Sequence, residues 1–124
     1  MNLRRLIPVV TLLLGGIMGA AAPAHAYSYY WSKVSVKSSS WQTCMEFASD
    51  TARNSSLANI KRDNLGVSGT RNGISVTLTC IGTGGNSPAM AVVIVVGDSD
   101  QPTHQLHNDL VAFIIKDQCL DSPC

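Results

Sequence analysis

Two histidines and an aspartate near the C-terminus have the residue types and the spacing to bind a metal ion. Asp100, His104 and His107 follow one another at steps of four and three residues, so a single helix would place them on neighbouring turns. Imidazole and carboxylate groups bind divalent copper and zinc, and these residues are therefore a candidate metal site. They fall short of a closed tetrahedral site, and the alternative is that both histidines are ordinary polar residues beside a buried stripe.

The sequence offers little else that could catalyse a reaction. It contains no phosphate-binding glycine loop, no nucleophile elbow and no zinc-protease helix motif. Beyond residue 26 the only histidines are His104 and His107, which restricts acid and base chemistry by histidine to one patch. We therefore expect a protein that is not an enzyme, and a small hydrolase using this patch ranks third among our hypotheses.

Four cysteines are a second group with defined chemistry. Cys44, Cys80, Cys119 and Cys124 allow three pairings, and no Cys-x-x-Cys motif suggests a redox or metal role. An even number of cysteines in an exported domain favours structural disulfides. The pairing itself depends on the fold.

Residues 1–26 have the three parts of a secretion signal. Arg4 and Arg5 form a positive end, Leu6–Met18 an apolar middle, and Ala24–Ala26 a small-residue cleavage site. We expect cleavage before Tyr27 and a periplasmic or secreted protein. A retained membrane anchor is the alternative, although the apolar run is short and interrupted by glycine.

Charge narrows the classes of partner. Residues 27–124 carry seven Lys or Arg and eight Asp or Glu, a net charge of −1 with neutral histidine. This near balance argues against nonspecific electrostatic binding to nucleic acid or to an acidic membrane surface. Recognition by shape and by apolar contact remains.

Periodicity predicts four strands and two helices. The predicted strands are Tyr29–Lys37, one within residues 60–70, Ile74–Cys80 and Ala89–Val96, and the helices run from a Ser39 cap to about Arg53 and from Gln101 to about Lys116. In the second strand, Leu65 and Val67 alternate, and Asn72–Gly73 marks a tight hairpin turn. The last helix begins with Asp100 as its N-cap. The last strand is apolar throughout, which is typical of a strand buried on both faces or covered by a partner on its second face.

These elements predict an α+β fold in the order β-α-β-β-β-α. Two helices on one face of a four-stranded, mainly antiparallel sheet would bury their apolar stripes against it. Cys44 then faces the sheet and Cys80 faces the helices, so they form the natural pair, and Cys119 would pair with Cys124. The predicted organisation is a signal (1–26), one α+β domain (27–118) and a cysteine-containing tail (119–124).

Part of this pattern resembles small secreted bacterial α+β domains with one cysteine in a first helix and another at the end of a hairpin strand. The residues that carry the resemblance are Cys44, Val67–Gly69, Ile74–Cys80 and Val93–Asp98. The resemblance supports the layout and the Cys44–Cys80 bridge, and it implies no particular activity.

The last helix carries a second apolar stripe beside its core stripe. At 100° per residue, Val111 and Ile115 fall outside the set formed by Thr103, Leu106, Leu110, Phe113 and Ile114. Such a stripe marks a partner surface, unless the tail folds back and covers it with Cys119 and Leu120. Tyr29 and Trp31 are ambiguous in the same way, since aromatic residues stabilise both interfaces and strand edges.

The function that the sequence favours is therefore binding to another protein. We expect an exported, non-enzymatic module, such as an inhibitor or a neutralising partner, that uses Val111, Ile115, Tyr29 and Trp31. The competing hypothesis is a periplasmic protein that binds copper or zinc through His104 and His107.

Overall fold

The computed structural model describes residues 25–82 and 85–119, which form an α+β domain. Its elements are β1 (Ser28–Ser35), α1 (Trp41–Asn54), β2 (Ala58–Arg62), β3 (Gly66–Arg71), β4 (Ile74–Ile81), β5 (Met90–Gly97) and α2 (Asp100–Gln118). All neighbouring strands pair antiparallel in the order β1-β5-β4-β3-β2. The edges of the sheet are therefore β1 and β2.

The core lies between one face of the sheet and the two helices. On β4, Ile74, Val76, Leu78 and Cys80 are buried, while Ser75 and Thr77 between them are exposed. The fully buried helix residues that meet this face include Cys44, Met45, Ala48, Leu110 and Ile114. The predicted packing of both helices on one face is thus confirmed, and within residues 25–82 and 85–119 no helix covers the other face of the sheet.

The prediction of four strands is wrong, because residues 58–71 form two strands where we expected one. Asp63 makes the turn between β2 and β3, with its Oδ1 accepting hydrogen bonds from the N–H groups of Leu65 (2.7 Å) and Gly66 (3.0 Å). Leu65, expected to alternate inward with Val67, lies in this turn and is 77% exposed. No residue of β2 is buried, so this strand lacks the apolar alternation that identifies strands in a sequence.

Both helix caps lie one residue away from the predicted positions. Ser40, not Ser39, is the N-cap of α1, and its Oγ accepts a hydrogen bond from the N–H of Thr43. Ser99 is the N-cap of α2, so Asp100 is the first residue of that helix. The Asp100 side chain is thereby free to face β1 instead of capping its own helix.

Two local predictions are confirmed. Asn72 and Gly73 both have positive φ, 50° and 78°, as the tight turn between β3 and β4 requires. Cys44 of α1 and Cys80 of β4 form a disulfide that joins the helix layer to the sheet. Cys124 lies outside the described residues, so its pairing with Cys119 stays a prediction.

Most of the predicted signal segment, residues 1–24, also lies outside the described residues. Neither helix within 25–82 and 85–119 combines the length and the apolar character needed to cross a membrane.

Candidate functional site

The predicted metal ligands lie at the seam between α2 and the edge strand β1. Asp100, at the start of α2, contacts Ser28 and Tyr30, and Gln118, at its end, contacts Ser35 and Lys37. The helix therefore runs along β1 in the same direction over the whole length of the strand.

Asp100 is held by two hydroxyl groups of β1. Its Oδ1 accepts a hydrogen bond of 2.6 Å from the Tyr30 hydroxyl and one of 3.1 Å from Ser28 Oγ. These bonds stabilise the carboxylate and lower the pKa of Asp100, and the Coulombic interaction with His104 lowers it further. The same bond raises the pKa of Tyr30, since ionisation of the phenol would remove the donor beside a negative charge.

The rings of His104 and His107 both lie close to the Tyr30 ring. The His104 ring stacks on it at a centroid distance of 4.6 Å, and the His107 ring lies at 6.0 Å. Asn108 joins the two histidines, with Oδ1 3.3 Å from His107 Nδ1 and Nδ2 3.3 Å from His104 Nε2. His107 is 7% exposed, and its buried Nε2 has no hydrogen-bond partner among the described residues.

The geometry places Tyr30 among the three predicted ligands. Within residues 25–82 and 85–119, no three His, Cys, Asp or Glu side chains converge in an arrangement that could hold a metal ion. Asp100, His104 and His107 do share one cluster, but the carboxylate is engaged by Tyr30 and Ser28. Metal binding by these residues stays a prediction.

The open face of the sheet, on the side away from the helices, is a second candidate site. Tyr29 and Trp31 of β1 lie on it and are 56% and 52% exposed. In the adjacent strand β5, Val92, Ile94 and Val96 face the same way and are half-buried. Register brings Trp31 beside Ile94 and Tyr29 beside Val96, so the aromatic and aliphatic side chains form one continuous surface.

Apart from Met90 and the 54% exposed Ile81 at one end, the rest of the open face is polar and uncharged toward its centre. On β4, Ser75, Thr77 and Thr79 stand opposite Val96, Ile94 and Val92. Ser68 and Thr70 of β3 continue the row of hydroxyl groups. A surface lined by hydroxyl groups therefore borders the apolar side chains of β1 and β5.

Acidic residues are absent from the strands, whereas the helices carry both charges, since Arg53 and Lys116 accompany their carboxylates. None of the five strands contains Asp or Glu, whereas α1 and α2 together contain Glu46, Asp50, Asp100, Asp109 and Asp117. Of the basic strand residues, Arg62 and Arg71 reach toward the helix side, where they bond Ser49 Oγ and the Ser55 carbonyl. Lys33 and Lys61 remain on the open face, at its two edges.

The four residues predicted as one interaction surface divide between the two sides of β1. Tyr29 and Trp31 lie on the open face, while Val111 and Ile115 lie on the flank of α2 above the strand. Val111 is partly buried against the core, and Ile115 is 48% exposed. The free edge of β1 separates the pairs.

Val92, Ile94 and Val96 were not among the predicted interaction residues. Their signal was the uninterrupted apolar run of the last strand, which pointed either to burial on both faces or to a partner. Among the described residues, β5 lies between β1 and β4 and no helix covers its open face, so burial of both faces is not observed; cover by a partner stays a prediction.

The fold and its surfaces thus define an α+β domain with one helix-covered side and an open sheet face bearing apolar and basic residues. No protein-family model matches the chain, and neither a curated protein nor a solved structure matches it.

Proposed function

We propose that the protein is an exported, non-enzymatic module that binds another protein through the open face of its sheet. The observation that carries the proposal is the strip formed by Tyr29, Trp31, Val92, Ile94 and Val96, which no other described element covers. Apolar surface that stays in contact with water is unfavourable, and patches of this kind are typical of binding sites.

The dimensions of the open face suit a small interface. Strands lie about 4.8 Å apart and rise about 3.4 Å per residue, so three strands of eight residues span roughly 400 Å². A standard interface buries about 800 Å² on each partner. The strip and its hydroxyl-lined border would form the centre of such an interface, with neighbouring side chains as its rim.

Charge indicates the chemistry of the partner. The open face carries Lys33 and Lys61 at its margins and Asp63 in the β2–β3 turn, so its net charge is positive and it complements a surface that combines apolar and acidic groups. An inhibitor or neutralising protein acting on an acidic partner fits this pattern. The predicted secretion signal and the Cys44–Cys80 disulfide suit a partner outside the cytoplasm.

The proposal is tested first by finding the partner at the proposed surface. A photo-reactive amino acid placed at Tyr29 should cross-link the partner in cells, whereas the same group at Gln42, on the helix side, should not. The captured protein is then produced and its affinity measured by calorimetry.

Two variants then test whether the partner binds the open face of the sheet and not the helix side. Thr77→Glu places an acidic group in the open face and should weaken binding at least tenfold, because it repels an acidic partner. Gln42→Glu makes the same change of charge on α1 and should leave the affinity unchanged. Equal affinities for both variants would contradict the proposal.

A further inference from the structure

We infer that the free edge of β1 pairs with β1 of a second copy, antiparallel across a two-fold axis at Trp31. The strand is eight residues long and pairs with β5 from Ser28 to Ser35 without a register shift. It contains no proline and no bulge, which are devices that block edge strands. The inference concerns the backbone edge of β1, whereas the proposed function uses the open face; Tyr29 and Trp31 belong to both, but the inference does not depend on the proposed function.

The backbone groups of alternate β1 residues point away from the sheet. The N–H of Val36 donates to the carbonyl of Ala89 on the β5 side, which places the even-numbered residues of β1 in hydrogen-bonded pairs with β5. The N–H and C=O groups of Tyr29, Trp31 and Lys33 therefore point outward. Within the described part of the chain they have no hydrogen-bond partner.

The side chain of Gln118 shows how this edge accepts an added amide. Its Nε2 donates to the Ser35 carbonyl at 3.3 Å, and its Oε1 accepts from the Lys37 N–H at 3.0 Å. These are bonds that a neighbouring strand would make. The carboxamide thus closes the last part of the edge and leaves the segment from Tyr29 to Lys33 open.

The opposite edge strand, β2, differs from β1 in length, in backbone regularity and in charge. Strand β2 has five residues, and its register with β3 shifts between Ala58 and Lys61. Asn59 has a positive φ of 52°, and two adjacent basic residues, Lys61 and Arg62, end the strand. Short length, an irregular backbone and two adjacent charges protect β2 from pairing, whereas β1 is longer and regular and carries the single charge of Lys33.

A second copy is the occupant that fits β1, because the strand complements itself. With Trp31 opposite Trp31 of the second copy, Tyr29 lies opposite Lys33, and the three open residues of each strand share six hydrogen bonds. Lysine beside an aromatic ring is a favourable pair, and Lys33 already lies 5.9 Å from the Trp31 ring in its own chain. Lys33 is the only charged residue of the strand, and this register keeps the two lysines apart.

The position of helix α2 is compatible with the pairing of β1 with β1 of a second copy. Helix α2 packs over both β1 and β5, so its axis lies about half a strand spacing inside β1. The two-fold axis lies about half a spacing outside β1, which separates the two α2 helices by about 10 Å. Packed helices lie 8–10 Å apart, so the flanks carrying Val111 and Ile115 would meet.

The first test is the mass of the purified protein by sedimentation equilibrium, up to about 1 mM. We expect a concentration-dependent increase from one chain to two. Amide hydrogen exchange should show the N–H groups of Tyr29, Trp31 and Lys33 becoming protected as the concentration rises. Those of Tyr30 and Ser32, which face β5, should be protected at every concentration.

Two lysine variants locate the contact. Trp31→Lys places two like charges opposite each other on the axis and should abolish the dimer. Thr77→Lys adds the same charge to the open face, away from the edge, and should leave the dimer intact. Circular dichroism would confirm that both variants fold, and Lys33→Pro, which removes an outward N–H without touching the β5 ladder, provides a second way to abolish pairing.

The outcomes distinguish this inference from the proposed function. A mass of one chain at every concentration would overturn it, and so would a dimer that Trp31→Lys and Thr77→Lys weaken equally. Loss of partner binding in Thr77→Glu, in a protein whose wild type stays a single chain at every concentration, would support the proposed function alone, and dimerisation without a captured partner would support only this inference.

Discussion

The hydroxyl of Tyr30 donates a hydrogen bond of 2.6 Å to the carboxylate of Asp100, which ties the edge strand to the first turn of α2. The residues are 70 positions apart in the chain. The stacked ring of His104 orients the phenol, and Ser28 adds a second bond to the same oxygen. Helix α2 is therefore fastened to β1 at its start by Asp100 and at its end by Gln118.

This pair makes stability depend on pH in a predictable direction. The pKa of Asp100 lies below its ordinary value of 3.8 in the folded protein, so its contribution is present above pH 3.8 and is lost as the pH falls through the folded value. The pKa of Tyr30 lies above 10.0, so its contribution is present below pH 10.0 and is lost as the pH rises through the folded value. Tyr30→Phe should lower the free energy of unfolding at neutral pH. It should also make that free energy less dependent on pH at both the acid and the alkaline end.

Urea unfolding of wild type and Tyr30→Phe across this pH range measures the effect. Tyr27→Phe is the control, because Tyr27 is 70% exposed and precedes β1. If Tyr30→Phe shows the same acid dependence as wild type, the bond to Asp100 does not contribute to stability.

The Cys44–Cys80 disulfide should be a large part of the stability of the domain. It closes a loop with a sequence separation of 36, which corresponds to about 3–4 kcal/mol from the lower entropy of the unfolded chain. Replacing both cysteines with alanine should lower the free energy of unfolding by about this amount, as measured by urea denaturation. Reduction of the wild-type protein should reproduce the loss, and a change below about 1 kcal/mol would contradict it.

The apolar alternation of β4 and the turn at Asn72–Gly73 were predictable because each is a local pattern. Strand β2 was not, since every residue in it is exposed and it leaves no apolar signal. The single strand predicted within residues 60–70 included the Asp63 turn, whose hydrogen bonds depend on one carboxylate.

The candidate sites were predictable only in part, for a physical reason of the same kind. Periodicity placed His104 and His107 on one helix, but Tyr30 meets them only because β1 pairs with β5 at the edge of the sheet. The open apolar face likewise depends on strand order, which no local pattern specifies. Contacts between distant elements could therefore not be predicted from the sequence.

Gln118 should stabilise the junction between the end of α2 and the end of β1. The side chain is 7% exposed and makes two hydrogen bonds to the backbone of Ser35 and Lys37. Gln118→Ala removes both and should cost about 1–2 kcal/mol in the free energy of unfolding. The same change at Gln101, exposed in the first turn of the helix, should cost less than about 0.5 kcal/mol. Equal effects of the two variants would show that the bonds to β1 contribute nothing.

The competing proposal of a copper or zinc site has a distinctive consequence. If Asp100, His104 and His107 bind the ion, the metal competes with the Tyr30 hydroxyl for the carboxylate. Tyr30→Phe releases that carboxylate and should therefore bind Cu²⁺ or Zn²⁺ about tenfold more tightly than wild type, which corresponds to about 1.4 kcal/mol. Calorimetry on wild type, Tyr30→Phe and the double variant His104→Ala and His107→Ala measures this order of affinities. An absence of binding in the first two proteins, or equal binding in all three, would remove the metal proposal and leave the histidines as polar residues packed around Tyr30.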